Sequence, residues 1–217
     1  MLVVIFIKSL YWFLFRLFVP AICYSCSDYV DEGTILCEIC QSHVYPVAPL
    51  YKKVRSYKIG VYAFSKYHGP LRRMILSKKY GKRVVFYGLA DLMWRQTILR
   101  HLDVDCLVPV PLHWTRRLQR GFNQSEIIAE RLGEFLAAPV VTGVKRVRRT
   151  NFQSSLSKED RIKNVQSVFS VTDEKALQNK HVVIIDDLYT TGATALSLAK
   201  EVAKCKPLSI QIVIACR

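Results

Sequence analysis

Hydrophobic positions along the chain fall into runs with two periods. Val182 to Ile185 form an unbroken β-branched stretch that ends at Asp186 and Asp187, the pattern of a strand buried on both faces of a parallel sheet. Asp105-Cys-Leu-Val-Pro-Val-Pro111 predicts a second buried strand, whose prolines mark a loop at its C-terminal end. Gly60-Val-Tyr-Ala-Phe64, Val140 to Val144 and Ser209-Ile-Gln-Ile-Val-Ile-Ala215 are further strand candidates. Helices are expected from Leu71 toward Lys79, over Val84 to Leu102, over Ser125 to Phe135, and through Ala195-Leu-Ser-Leu-Ala199. Strands interleaved with helices predict an α/β domain with a parallel sheet and flanking helices, spanning residues 60–217.

The chain before that domain reads differently. Residues 1–20 are strongly apolar but broken by Lys8, Ser9 and Arg16, so no uncharged stretch is long enough to span a bilayer. Leu10, Phe13, Leu14, Leu17 and Phe18 recur at helical spacing, which predicts an apolar helical face that docks on the protein or rests on a membrane surface through residues 1–19. No signal-peptide pattern is evident. Residues 21–44 carry Cys23-Tyr-Ser-Cys26 and Cys37-Glu-Ile-Cys40, two knuckles separated by ten residues, with Gly33 between them to reverse the chain. Four thiolates so spaced converge on a tetrahedral metal. Zinc suits a small structural module better than an iron–sulfur centre, although the sequence leaves iron open. Residues 45–59, with Pro46, Pro49 and the cluster Lys52, Lys53, Arg55 and Lys58, read as a basic linker.

Composition sharpens this picture. Of 217 residues, 51% are hydrophobic, so a packed core is available and wholesale disorder is excluded. The net charge of +15 is more than a small-molecule enzyme needs and fits a phosphate-rich partner. Seven cysteines, four of them in the knuckles, are too few for a disulfide scaffold and point to a reducing compartment.

The candidate chemistry centres on Asp186-Asp-Leu-Tyr-Thr-Thr-Gly-Ala-Thr194. A strand that feeds a small-residue turn into a helix N-terminus presents backbone N–H groups and the helix dipole to an anion. Gly192 removes a Cβ that would block close approach. The two carboxylates at the strand end can accept hydrogen bonds from sugar hydroxyls. A phosphate on one side and a diol on the other describe a ribose 5-phosphate. The loop Leu112-His-Trp-Thr-Arg-Arg-Leu-Gln-Arg-Gly-Phe-Asn-Gln124 should stand beside this motif, where Arg116, Arg117 and Arg120 are candidates for pyrophosphate or nucleic-acid contact. The polar run from Lys145 to Asn164 is long and aperiodic, as binding segments often are.

The motif from Val182 to Thr194 closely resembles the phosphoribosyl-pyrophosphate (PRPP) motif of type I phosphoribosyltransferases. That resemblance implies that Asp186 and Asp187 bind the ribose hydroxyls and that Thr190, Thr191, Gly192, Ala193 and Thr194 wrap the 5-phosphate. It also implies magnesium with PRPP and a mobile loop ahead of the motif. Cysteine knuckles, then Pro109-Val-Pro-Leu112, then Arg120-Gly-Phe-Asn-Gln124, then the PRPP motif occur here in one order. Together they resemble the ComF family, associated with bacterial competence for DNA uptake, over residues 18–217. Arg149, Thr150, Gln153, Leu156, Arg161, Asn164 and Phe169 match the same pattern. The resemblance implies a zinc-ribbon-like four-cysteine module joined to a type I phosphoribosyltransferase-like domain. The implied role is the handling of incoming single-stranded DNA in natural transformation, in the cytoplasm at the inner face of the membrane, beside other competence proteins. The basic and aromatic residues fit that role. Lys52, Lys53, Arg55 and Lys58 alternate with Tyr51 and Tyr57, and Lys78 and Lys79 precede Tyr80; cations track the backbone of a single strand while rings stack its bases. The alternative is an active phosphoribosyltransferase, moving ribose 5-phosphate from PRPP to an acceptor that the sequence does not identify.

Overall fold

A computed structural model describes residues 21–31, 33–76, 82–112, 118, 121–147 and 168–217. The expected apolar helix in residues 1–20, most of the arginine-rich loop and nearly all of the polar run after Lys145 lie outside the described residues.

The β-branched run becomes strand β6 (His181–Leu188), buried from Val182 through Asp186. It is flanked on one side by β3 (Cys106–Pro109) and on the other by β7 (Ser209–Cys216). Beyond β7 come β2 (Tyr57–Ser65) and the edge strand β1 (Leu50–Val54), giving the order β1-β2-β7-β6-β3. All neighbours pair in parallel except β1, which is antiparallel to β2. Both faces of this sheet are covered, which is why its central strands are apolar without alternation.

One face carries Phe64, Val183, Ile185, Val213 and Ala215. Packed on it are helices α2 (Gly69–Leu76), α3 (Lys82–Gln96) and α4 (Gln124–Leu136), through residues such as Leu71, Met74, Leu89, Met93, Ile128 and Leu132. The other face, with Val61, Val108, Val182, Ile184 and Ile212, is covered by α5 (Ala193–Val202). A short antiparallel ribbon of β4 (Val144–Arg146) and β5 (Phe169–Val171) covers it too. Each large side chain so buried contributes about 1.5–3 kcal/mol.

Three expectations change. The stretch expected to be a linker instead forms β1 and a tight hairpin into β2, with Leu50 opposite Val61 and Val54 opposite Tyr57. The turn is Arg55-Ser56, with Arg55 at φ 52°. The helix expected over Val84 to Leu102 ends at Gln96, where Thr97 caps a separate 3-10 turn, Ile98–His101. Of the strand expected over Val140 to Val144, Val140 makes only a single bridge to Leu107, and pairing into the ribbon begins at Val144.

The cysteine segment, with its short helix α1 (Glu38–Ser42), does not hang from the domain. Cys23, Ile35, Leu36 and Cys40 belong to the same buried cluster as α2, α3 and the first sheet face. Ile35 presses on α3 at Gly88 so closely that a methyl group there would overlap it. The Arg73 guanidinium on α2 adds a hydrogen bond to Ser25 Oγ at 3.0 Å. Among the described residues, no helix is long and apolar enough to cross a membrane.

Candidate functional site

Parallel sheets bind ligands beyond the C-terminal ends of their strands, and three chain segments converge there. The first is the end of β6 with the turn that follows it. The second is the segment leaving β3, where Val110 N donates to Ile185 O at 2.9 Å. The third is the start of α4, tied back by Asn123 Nδ2, which donates to Val110 O at 3.0 Å. That bond closes the ends of the arginine-rich loop beside β6. Arg116, Arg117 and Arg120 themselves lie outside the described residues.

The two acids are unequal. Asp186 is buried, and its Oδ1 accepts from Ser125 Oγ at 3.1 Å and from the Asp187 N–H at 2.9 Å. Burial pushes its carboxyl well above the usual carboxylate range. The charge of Asp187 adds to the push, while the Asp187 N–H and the Ser125 hydroxyl oppose it. Asp187 is half-buried at the strand end and is the more accessible of the pair. Ser125 was not among the residues singled out in the sequence. Only the fold, which sets the first turn of α4 against the end of β6, makes it a partner of the acids.

After Leu188 the chain turns through Tyr189 to Gly192, which N-caps α5 at φ 74°. In this left-handed conformation a side chain is strained. The Gly192 position is also closed by packing, since a methyl group there would overlap the Tyr189 phenol. No side chain caps the helix through Gly192, although Thr191 Oγ1 accepts from Ala193 N at 3.4 Å. The first turn of α5 thus points N–H groups and the positive end of its dipole past Thr190 and Thr191, both exposed, with Thr194 half-buried beside them. Tyr189 is 5% exposed, and its hydroxyl has no hydrogen-bond partner among the described residues. The geometry combines a half-buried carboxyl at the strand end, a buried second carboxyl held by Ser125, and a helix N-terminus of the kind that attracts anions.

The four cysteines come together as their spacing predicts. The Sγ atoms of Cys23, Cys26, Cys37 and Cys40 all lie within 4.8 Å of one another, with Cys26 and Cys37 at 3.5 Å. Four sulfurs held about 2.3 Å from one zinc stand about 3.8 Å apart, so the cluster fits that ion. Backbone N–H groups point at the sulfurs, Ser25 N to Cys23 Sγ at 3.4 Å and Cys40 N to Cys37 Sγ at 3.4 Å. Burial works to raise the Cys23 thiol, but backbone N–H groups around it outweigh burial and bring it down to about 7. Cys26 and Cys40 are shifted the other way, upward, so a metal binding there must displace their protons.

The basic candidates are divided by strand alternation. Lys53 on β1 pairs with Lys58 and Lys52 with Ile59, so the two neighbouring lysines point to opposite faces of the sheet. Tyr57 is half-buried against the second core, and its hydroxyl donates to Pro207 O at 2.8 Å. Lys78, Lys79 and Tyr80 lie outside the described residues.

The phosphoribosyl transferase domain family matches residues 118–217 of this chain. Competence protein F of Haemophilus influenzae (strain ATCC 51907 / DSM 11121 / KW20 / Rd) is 34% identical over 110 residues, which is 50% of this chain. The match covers 48% of competence protein F, so the chain spans about half the length of that relative. DNA utilization protein YhgH of Salmonella typhi is 30% identical over 160 residues, 70% of each chain. YhgH of Escherichia coli (strain K12) is 29% identical over 211 residues, 90% of each. With its phosphoribosyltransferase domain and N-terminal four-cysteine cluster in one fold, this chain belongs to the ComF/YhgH family of competence and DNA-utilization proteins.

Proposed function

We propose that this protein handles incoming single-stranded DNA during natural transformation and binds PRPP, or another ribose 5-phosphate, at the end of β6. The arrangement at Asp186, Asp187 and the Thr190–Thr194 turn carries the second half of this reading. In this reading Asp187 accepts hydrogen bonds from the ribose diol, and Asp186, held by Ser125 Oγ at 3.1 Å, stands beside it. The start of α5 receives the 5-phosphate through its backbone N–H groups. Magnesium would accompany the pyrophosphate of PRPP and neutralise its charge. The DNA half is supported by the net charge of +15 and by relatives whose names concern competence and DNA utilization. Zinc held by Cys23, Cys26, Cys37 and Cys40 serves the fold, since Cys23 and Cys40 are buried in the helix-side core and Cys37 packs against it.

Titration calorimetry with PRPP and with inorganic pyrophosphate tests the sugar-reading role of the acids. Hydrogen bonds to a charged group are worth about 1.5–3 kcal/mol. Asp187→Asn is therefore expected to weaken PRPP by roughly tenfold or more and to leave pyrophosphate nearly unchanged. An equal loss for both ligands would show that the acid does not read the ribose.

A further inference from the structure

The hairpin of β1 and β2 sets two like charges against each other. Its antiparallel register sets Lys53 directly opposite Lys58, and like charges so placed repel. Neither lysine is in an ion pair among the described residues. Tyr51 stands beside them, 57% exposed, with Lys58 Nζ at 5.1 Å from its ring centroid. The cross-strand partner of Tyr51 is Gly60. Glycine weakens a strand interior and marks a place where something approaches closely. Here that is Tyr62, whose phenol end folds back over Gly60 so tightly that a methyl group would overlap it. Gln211 Oε1 accepts from Gly60 N at 2.8 Å and crowds the glycine on the same side as the Tyr62 phenol. Strand alternation puts Tyr51, Lys53, Lys58 and Tyr62 on one face of the sheet, while Lys52 and Tyr57 turn to the other.

We propose that Tyr51, Tyr62, Lys53 and Lys58 form a seat for single-stranded DNA, in which a backbone phosphate bridges the two lysines and bases stack on the tyrosine rings. A phosphate between Lys53 and Lys58 removes their mutual repulsion, so its binding gains on both attraction and relief. Stacking on protein rings requires bases not already stacked in a duplex, which selects the single strand. This patch joins two opposed cations to two tyrosine rings on one face of the sheet. The inference rests on the DNA-handling reading above and assigns that role to particular residues.

The test is fluorescence anisotropy of a labelled oligothymidylate against the full chain, at several salt concentrations. Tyr51→Ala is expected to weaken binding about 5- to 100-fold with the salt slope unchanged, and Tyr51→Phe to retain the affinity. On an abasic strand Tyr51→Ala should have no effect. Lys53→Gln and Lys58→Gln should each weaken binding and flatten the slope of log affinity against log salt by about 0.7. Lys52→Gln, on the opposite face, should change affinity less than either. If the wild-type protein binds the strand and these variants bind equally well, the seat is wrong while the DNA reading stands. Loss with the lysine variants but none with Tyr51→Ala overturns it also, since charge alone makes no stacking seat. Failure of the wild-type protein to bind removes both readings together.

Discussion

At Asp186 a buried carboxyl faces a second acid one residue away, an arrangement that opposes the folded state. Burying a charge costs several kcal/mol unless it is well paired, and the partners here are two neutral donors, the Ser125 hydroxyl and the Asp187 N–H. Because folding raises the Asp186 pKa, the folded chain holds this proton to higher pH than the unfolded chain does. Stability tied to the group is therefore complete below its ordinary value of 3.8 and is lost as pH rises through the folded value. Asp186→Asn keeps an oxygen for both donors and removes the charge. It is expected to match the wild type near pH 3 and to exceed it at pH 7 by about 1 kcal/mol, or roughly 2–4 °C in Tm, as thermal unfolding across pH would show. The Tyr189 hydroxyl is a second group that the fold buries without a partner among the described residues. Tyr189→Phe is expected to raise stability by about 1 kcal/mol, because an unsatisfied buried hydroxyl costs about 1–3 kcal/mol; denaturant unfolding is the measurement. Both residues are in the stretch that the sequence marked for ligand binding, but their environments were not legible there. Ser125 is 61 positions from Asp186, and nothing local in either segment announces the bond.

Among the elements, the cysteine knuckles were the most legible, since metal chemistry fixes ligand spacing within a few residues and leaves little to the rest of the fold. Their attachment was not legible. A four-cysteine segment followed by prolines and lysines reads as a tethered module, yet Ile35 and Leu36 are core residues of the domain and Gly88 is the gap in α3 that admits Ile35. Alanine is normally worth about 1 kcal/mol over glycine inside a helix. Here Gly88→Ala is expected to destabilise the protein, by about 1–3 kcal/mol for overpacking. Removal of the metal should act in the same direction, and chelation is expected to lower the Tm of the whole chain rather than melt the knuckles alone. Two separate calorimetric transitions on chelation would show that the module is autonomous. The edge strand β1 was hidden for another reason. Its three central positions, Tyr51, Lys52 and Lys53, are all exposed, so no apolar alternation reveals it. Its hairpin turn uses Arg55 in a left-handed conformation, without the Asn-Gly or Gly-Gly signal that such turns usually carry.

At the scale of the molecule, the parallel sheet and the strand end that carries Asp186 and Asp187 could be read because buried parallel strands are short β-branched runs that stop where polar residues begin. Strand order could not, since it depends on which apolar run meets which across long separations. The order β1-β2-β7-β6-β3 has a consequence for how the chain folds. Of the described strands, β7 comes latest in chain order, and it alone joins the β1-β2 hairpin to the β6-β3 pair. Until Ser209 to Cys216 are in place, β2 and β6 each present an unpaired parallel edge of apolar residues. Two half-sheets must therefore wait, exposed to other chains, for a keystone whose contacts span most of the sequence. Folding limited by such distant contacts is slow, and the waiting edges are where a nascent or refolding chain would aggregate first.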